Sequence, residues 1–174
     1  EHSSQLYPSN YEKQYMQRYP ALRSIIKLIY FPMLSAEPSI SGDEIQVNFL
    51  KNWFNKYYRT VCTPLISKGI AWGMSAGEKV IKSININGKT YWVVSDIIAP
   101  PPAGITLHYS DTTPVEIIGF EWSGIFVEKE RMALYIYQGS EIGTPHGVSI
   151  CDDVYWAWKE IKHDYTQYNI YKDL

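Results

Sequence analysis

The segment GTPHGVSICDDVYWAW, Gly143 to Trp158, places a histidine, a cysteine and two aspartates ahead of an expected helix. A helix start presents unpaired backbone N–H groups and the positive end of a dipole, and both lower the pKa of a thiol placed there. Cys151 would then be a nucleophile if a base stood beside it. The candidates are His146, five residues earlier in a Gly/Pro loop, and His108 on an expected strand. A cysteine hydrolase is built from such a pair. It predicts a free, alkylatable thiol and loss of activity in Cys151→Ser without loss of folding.

The same aspartates weigh the other way. Negative charge beside a thiol raises its pKa, and Asp152 and Asp153 already have a sufficient task as N-cap and first-turn acids. No known motif surrounds Cys151, so it reads as a structural residue and no catalytic residue is assigned. A zinc set of His146, Cys151, an aspartate and His163 fails on reach. His163 lies two to three helical turns from Asp152, too far for one ion. Neither a metal nor a cofactor is expected. Glu116, Glu121, Glu128 and Glu130 lie on or beside expected strands, where alternation turns such residues to solvent. GMSAGEK carries two glycines and a lysine but lacks phosphate-loop spacing, which argues against the common nucleotide enzymes.

Cys62 and Cys151 are the only cysteines. A bridge between them would close a loop of about 90 residues and stabilise the fold by roughly 4 to 5 kcal/mol through chain entropy. Unpaired, each is most often a small buried hydrophobe. The chain starts at Glu1 rather than Met, which leaves a removed signal peptide and a truncation as equal readings. An exported protein with two cysteines favours the bridge, and the expected location is periplasmic or secreted, with cytoplasmic as the alternative.

The chain of 174 residues is most economically one domain, 1–174, with residues 1–10 a frayed or vector-derived end. Its 16 basic and 18 acidic residues are interspersed, so there is no long-range attraction to a phosphate backbone and nucleic acid is not an expected partner. No apolar run is long enough to span a bilayer.

The elements that would position these residues follow from periodicity. Met16, Tyr19, Leu22, Ile25, Ile26 and Ile29 have helical spacing interrupted by Pro20, which predicts one short helix to Tyr19 and a second from Pro20 to just before Pro32. Ser41 and Glu44 have capping-box spacing ahead of Ile45, Phe49, Trp53, Tyr57 and Val61, a helix expected to end near Cys62 because Pro64 follows. Asn87-Gly88 marks a two-residue hairpin turn. Ile84 and Ile86 then share a face with Tyr91 and Val93, and Ile81 shares the other with Trp92 and Val94. With both faces apolar, the hairpin is expected to be central and covered on more than one side. Four further strands are expected in GITLHYS, TPVEIIGFEW, GIFVE and MALYIYQ, and a closing helix from Asp152 or Asp153 to about Tyr165. The result is an α+β domain: N-terminal helices and a C-terminal helix packed on an antiparallel sheet of about five or six strands.

What the composition offers in place of a catalytic motif is aromatic surplus, 15 Tyr and 6 Trp. Tyr and Trp suit contact surfaces because each joins a large apolar body to a polar tip. The closing segment carries Tyr155, Trp156, Tyr168 and Tyr171, and the loop APPPAG carries Pro100, Pro101 and Pro102. These seven are the candidate binding residues. The expected function is a non-catalytic protein-binding module, an exported bacterial inhibitor or toxin-neutralising immunity-type protein whose partner is another protein, a toxin or an enzyme. The alternatives are the cysteine hydrolase and a small-molecule or glycan binder using exposed Trp and Tyr.

Overall fold

The computed structural model describes residues 7–37, 39–86, 88–111, 116–138 and 147–172, apart from the side chains of 169–171. The chain adopts an α+β fold in which six antiparallel strands divide into two three-stranded sheets.

Helix α1, Asn10–Met16, opens with a capping box in which the Ser9 hydroxyl accepts from the Glu12 N–H and the Glu12 carboxylate accepts from the Ser9 N–H. Helix α2, Pro20–Ser35, takes Pro20 into its first turn, where a missing N–H costs nothing. It does not stop before Pro32. Pro32 and the residue four before it, Leu28, are both exposed, so water can serve the carbonyl that Pro32 leaves without a donor. Leu34, two residues on, is buried in the helical core and holds the last turn down.

Helix α3, Glu44–Trp72, is capped by Asp43 rather than Ser41, its carboxylate accepting from the Ile45 N–H at 3.1 Å. It continues ten residues past Cys62, with Pro64 inside it. A proline in a helix interior costs about 3 kcal/mol. Beyond it the helix buries Leu65, Ile66, Ile70 and Ala71, and each large aliphatic contributes about 1.5–3 kcal/mol. Burial outweighs the proline. Gly73 then turns the chain at φ 91° directly into β1.

Strands β1, Met74–Ile86, and β2, Lys89–Ile98, pair as expected, with Ile86 opposite Lys89, while Asn87 of the expected turn lies outside the described residues. After a 3-10 turn at Pro102–Gly104 come β3, Ile105–Tyr109, β4, Ile117–Trp122, β5, Ile125–Glu128, and β6, Met132–Ile136. The order is β2-β1-β6 in one sheet and β3-β4-β5 in the other. Alternation along β1 decides which side meets what. Ser75 points at α3 and donates to the Leu65 carbonyl at 2.6 Å. Met74 and Ala76 point the other way and pack with Leu107, Phe120, Val127 and Met132, joining the two sheets. Val61, Leu65 and Ile97 fill the space under α3.

The hairpin is not covered on two sides as expected. β1 is central but β2 is an edge strand, and Phe49 of α3 packs on Tyr91 with ring centroids 5.1 Å apart. On the opposite face Ile81 and Trp92 are exposed, Trp92 by 72%. The second sheet reaches only the other half of β1, so an apolar residue pattern on both faces did not imply two covers.

The chain closes with one helical turn, α4, Ile150–Asp153, and a long helix, α5, Tyr155–Lys172. The helical stretch thus starts earlier than its residue pattern suggests, at Ile150, but breaks at Val154, and the long helix runs past Tyr165 to Lys172. Among the described residues no helix is long and apolar enough to cross a membrane.

Candidate functional site

The stretch around Cys151 is a clasp for the N-terminal helix. Ser149, fully buried, is the N-cap of α4: its hydroxyl accepts from the Asp152 N–H at 3.1 Å, and the Asp152 carboxylate accepts from the Ser149 N–H at 2.9 Å. The cap is therefore Ser149 and not an aspartate, which places Cys151 inside the turn. The Asp152 carboxylate also holds the Lys13 ammonium, 2.7 Å from one oxygen and 3.1 Å from the other. One residue before Lys13, Glu12 accepts from the Tyr155 hydroxyl at 2.8 Å. Tyr15 meets the edge of Trp158 at 6.1 Å between centroids. Three successive contacts along one face of α1 thereby dock it on α4 and the root of α5. Glu12 and Lys13 carried no sequence signal for this role, because their partners lie about 140 residues away.

Cys151 is 0% exposed and packs in the helical core beside Ile70, Ile150 and Tyr155. Burial pushes its thiol pKa up to about 12, with Lys13 pulling down and Asp152 pushing up by lesser amounts. The helix-start effect that would make it reactive is overridden by loss of water. At neutral pH the residue is a thiol, and the nucleophile is the thiolate. His108 is on the other side of the molecule's construction, in the second sheet, where its Nε2 lies 3.1 Å from the Glu121 carboxylate across the β3–β4 ladder. Glu121 is thus half-buried against a partner rather than simply solvated. His163 is exposed on α5, and His146 lies outside the described residues. Among the described residues no three His, Cys, Asp or Glu side chains are grouped to hold a metal.

The bridge considered for Cys62 and Cys151 is not made: both are free thiols. Cys62 sits on α3 at the border of two apolar clusters, and burial raises its thiol pKa too. Alkylation in denaturant without reduction is expected to add two groups, whereas native protein leaves Cys151 unmodified. The raised pKa also sets a direction in pH. A thiol pKa higher folded than unfolded favours the fold fully below the unfolded value of about 9, and that contribution is lost as pH rises toward 12. Thermal melts should fall over this alkaline range, and less so in Cys151→Ala than in wild type.

The candidate binding residues divide by burial. Tyr155 is fully buried and faces the helical cluster at the point where α5 leaves it. Pro100 and Pro102 are also buried, and Pro101 alone is exposed. Lys68 of α3 donates to the Ala99 and Pro100 carbonyls, so this loop is packed down rather than presented. Trp156, 48% exposed, and Tyr168, 64% exposed, remain on the surface, while the Tyr171 side chain lies outside the described residues. Lys159 lies over the rings of both Tyr155 and Trp156, at 5.4 and 5.1 Å.

Two further exposed residues, Ile161 and Tyr165, lie on the same helix outside the seven candidates. With Trp158 and Tyr168 they recur at intervals of three, four and three, the spacing of a coiled-coil seam. Trp158 is buried against the body, and the next three are left open. Ile161, Asp164, Tyr165 and Tyr168 bound a shallow groove of about 350 Å³. The signal was available in the residue spacing, but it required knowing that the helix continues past Tyr165.

No protein-family model matches the chain, and no curated protein is significantly similar to it.

Proposed function

We propose that the protein is a non-catalytic protein-binding module of the inhibitor or immunity type, and that its partner is a protein that docks along α5. The observation that carries this reading is the open seam of Ile161, Tyr165 and Tyr168 on a helix anchored at its root by Tyr155 and Trp158. A helix that buries one apolar turn and leaves apolar residues open along the next ones is suited to lie in a groove or against another helix. Tyrosines supply contact area at low cost in side-chain entropy, and the rigid root sets their direction.

The test is capture from extracts of the source organism and its competitors by wild type and by Tyr165→Ala/Tyr168→Ala, followed by native mass spectrometry. A one-to-one complex with wild type, lost in the double variant, is the expected result. Both residues are exposed, so the variant should melt as wild type does. Failure to capture any partner, or a complex that the double variant retains, would overturn the reading.

A further inference from the structure

A second surface feature is independent of α5. The turn between α1 and α2, one side of α2 and the last turns of α3 border an open groove of about 350 Å³. Its floor is Ile26 and Ala71, both buried in the helical core, and Tyr30 forms one wall. Arg18, Arg23 and Lys27 stand around it, with Arg23 and Lys27 one helical turn apart, and among the described residues no Asp or Glu lines it. Lys68 lines it as well, although its ammonium is occupied by the Ala99 and Pro100 carbonyls.

Three cations therefore line one groove. Among the described residues the ion pairs engage Lys13, His108, Lys129 and Arg131, and none engages Arg18, Arg23 or Lys27. The start of α2 adds to the same field. Its first turn has no acidic residue, and its N-cap, Tyr19, makes no side-chain cap. Pro20 brings no N–H to that turn, so what it adds is the positive end of a sixteen-residue helix. Like charges held together without counter-charge favour an anion that neutralises them. Two arginine forks and a lysine match a dianionic phosphate better than a single carboxylate, since each guanidinium can bond two oxygens. The apolar floor suits an organic group attached to that phosphate, and the volume lies in the range of small-ligand sites.

We propose that this groove binds a small phosphomonoester, with Arg18, Arg23 and Lys27 on the phosphate and Ile26, Tyr30 and Ala71 against the organic part. The cradle is made of side chains, which is why no glycine-rich phosphate loop marks it in the sequence. The proposal does not depend on the protein-binding role of α5.

The test is isothermal titration of the full chain at low ionic strength with phenyl phosphate, inorganic phosphate and benzoate. Phenyl phosphate is expected to saturate one site and to bind more tightly than either of the others. Arg23→Gln should weaken it about tenfold or more, the fold-change of losing a charged hydrogen bond, and Arg18→Gln/Arg23→Gln should abolish it. These arginines are exposed, so an unchanged melting temperature is the control for folding, and Lys27→Gln provides an independent variant. Absence of saturable phenyl phosphate binding, equal affinity in wild type and the double variant, or equal affinity for inorganic phosphate or benzoate would each overturn the proposal.

Discussion

Tyr155→Ala is expected to destabilise the protein by about 3–5 kcal/mol, the cost of truncating a fully buried aromatic. The Tyr155 ring has no exposed surface, lies nearly parallel to Trp158 at 6.2 Å, and bonds Glu12 through its hydroxyl. Removing it opens a cavity where α1, α3, α4 and the root of α5 meet. Tyr155→Phe separates packing from hydrogen bonding and should cost only about 0.5–1.5 kcal/mol. Urea unfolding of the three proteins is the measurement. A loss within about 1 kcal/mol for the alanine variant would mean that α5 is not rooted in this core.

The Glu12 carboxylate provides a pH signature for the same contact. Burial tends to raise its pKa, but the Ser9 N–H and hydroxyl, the Tyr155 hydroxyl and Lys159 together hold it below the ordinary 4.5. A depressed carboxylate contributes stability above its unfolded pKa, and that contribution disappears as pH falls through the folded value. Tyr155→Phe should therefore narrow its deficit relative to wild type as the solution is acidified below about 4.5. The consequence for function is indirect but testable. On the proposed docking along α5, Tyr155→Ala should lose partner binding along with stability, because the seam of Ile161, Tyr165 and Tyr168 is directed by the root of its helix.

Pro64→Ala is expected to act in the opposite sense, stabilising the protein by about 1–3 kcal/mol. The proline lies within α3, eight residues before its end, and denies the Thr60 carbonyl its usual helical donor. Alanine restores that bond and has the best helix propensity. Part of the gain is offset because proline restricts the unfolded chain. The check is the urea midpoint at constant slope. A lower midpoint in Pro64→Ala would show that the restriction proline places on the unfolded chain outweighs the restored helical bond.

These two prolines and one tyrosine show where local reading stops. Pro32 and Pro64 are helix breakers by local geometry, yet both helices pass through them. Leu34 after the first, and Leu65, Ile66, Ile70 and Ala71 after the second, are buried against residues distant in sequence. Local geometry could not weigh that burial. Tyr155 and Trp156 are adjacent and chemically alike, but one is in the core and the other half in water, a difference set by which side of α5 meets the helical cluster.

The features that depend on a few consecutive residues were legible in the sequence: the α+β class, the pairing of β1 with β2 and its register, the separate identities of the later strands, and the helical start at Pro20. Turn chemistry and side-chain period are local, so they survive without knowledge of the partner. The division of six strands into two sheets, the exposed face at Trp92, the burial of Cys151 and the clasp of Glu12 and Lys13 on the closing helix were decided by tertiary packing. Each depends on which surfaces are removed from water together. That choice is made between elements as far apart in the chain as α1 and α5, and no period within either one encodes it.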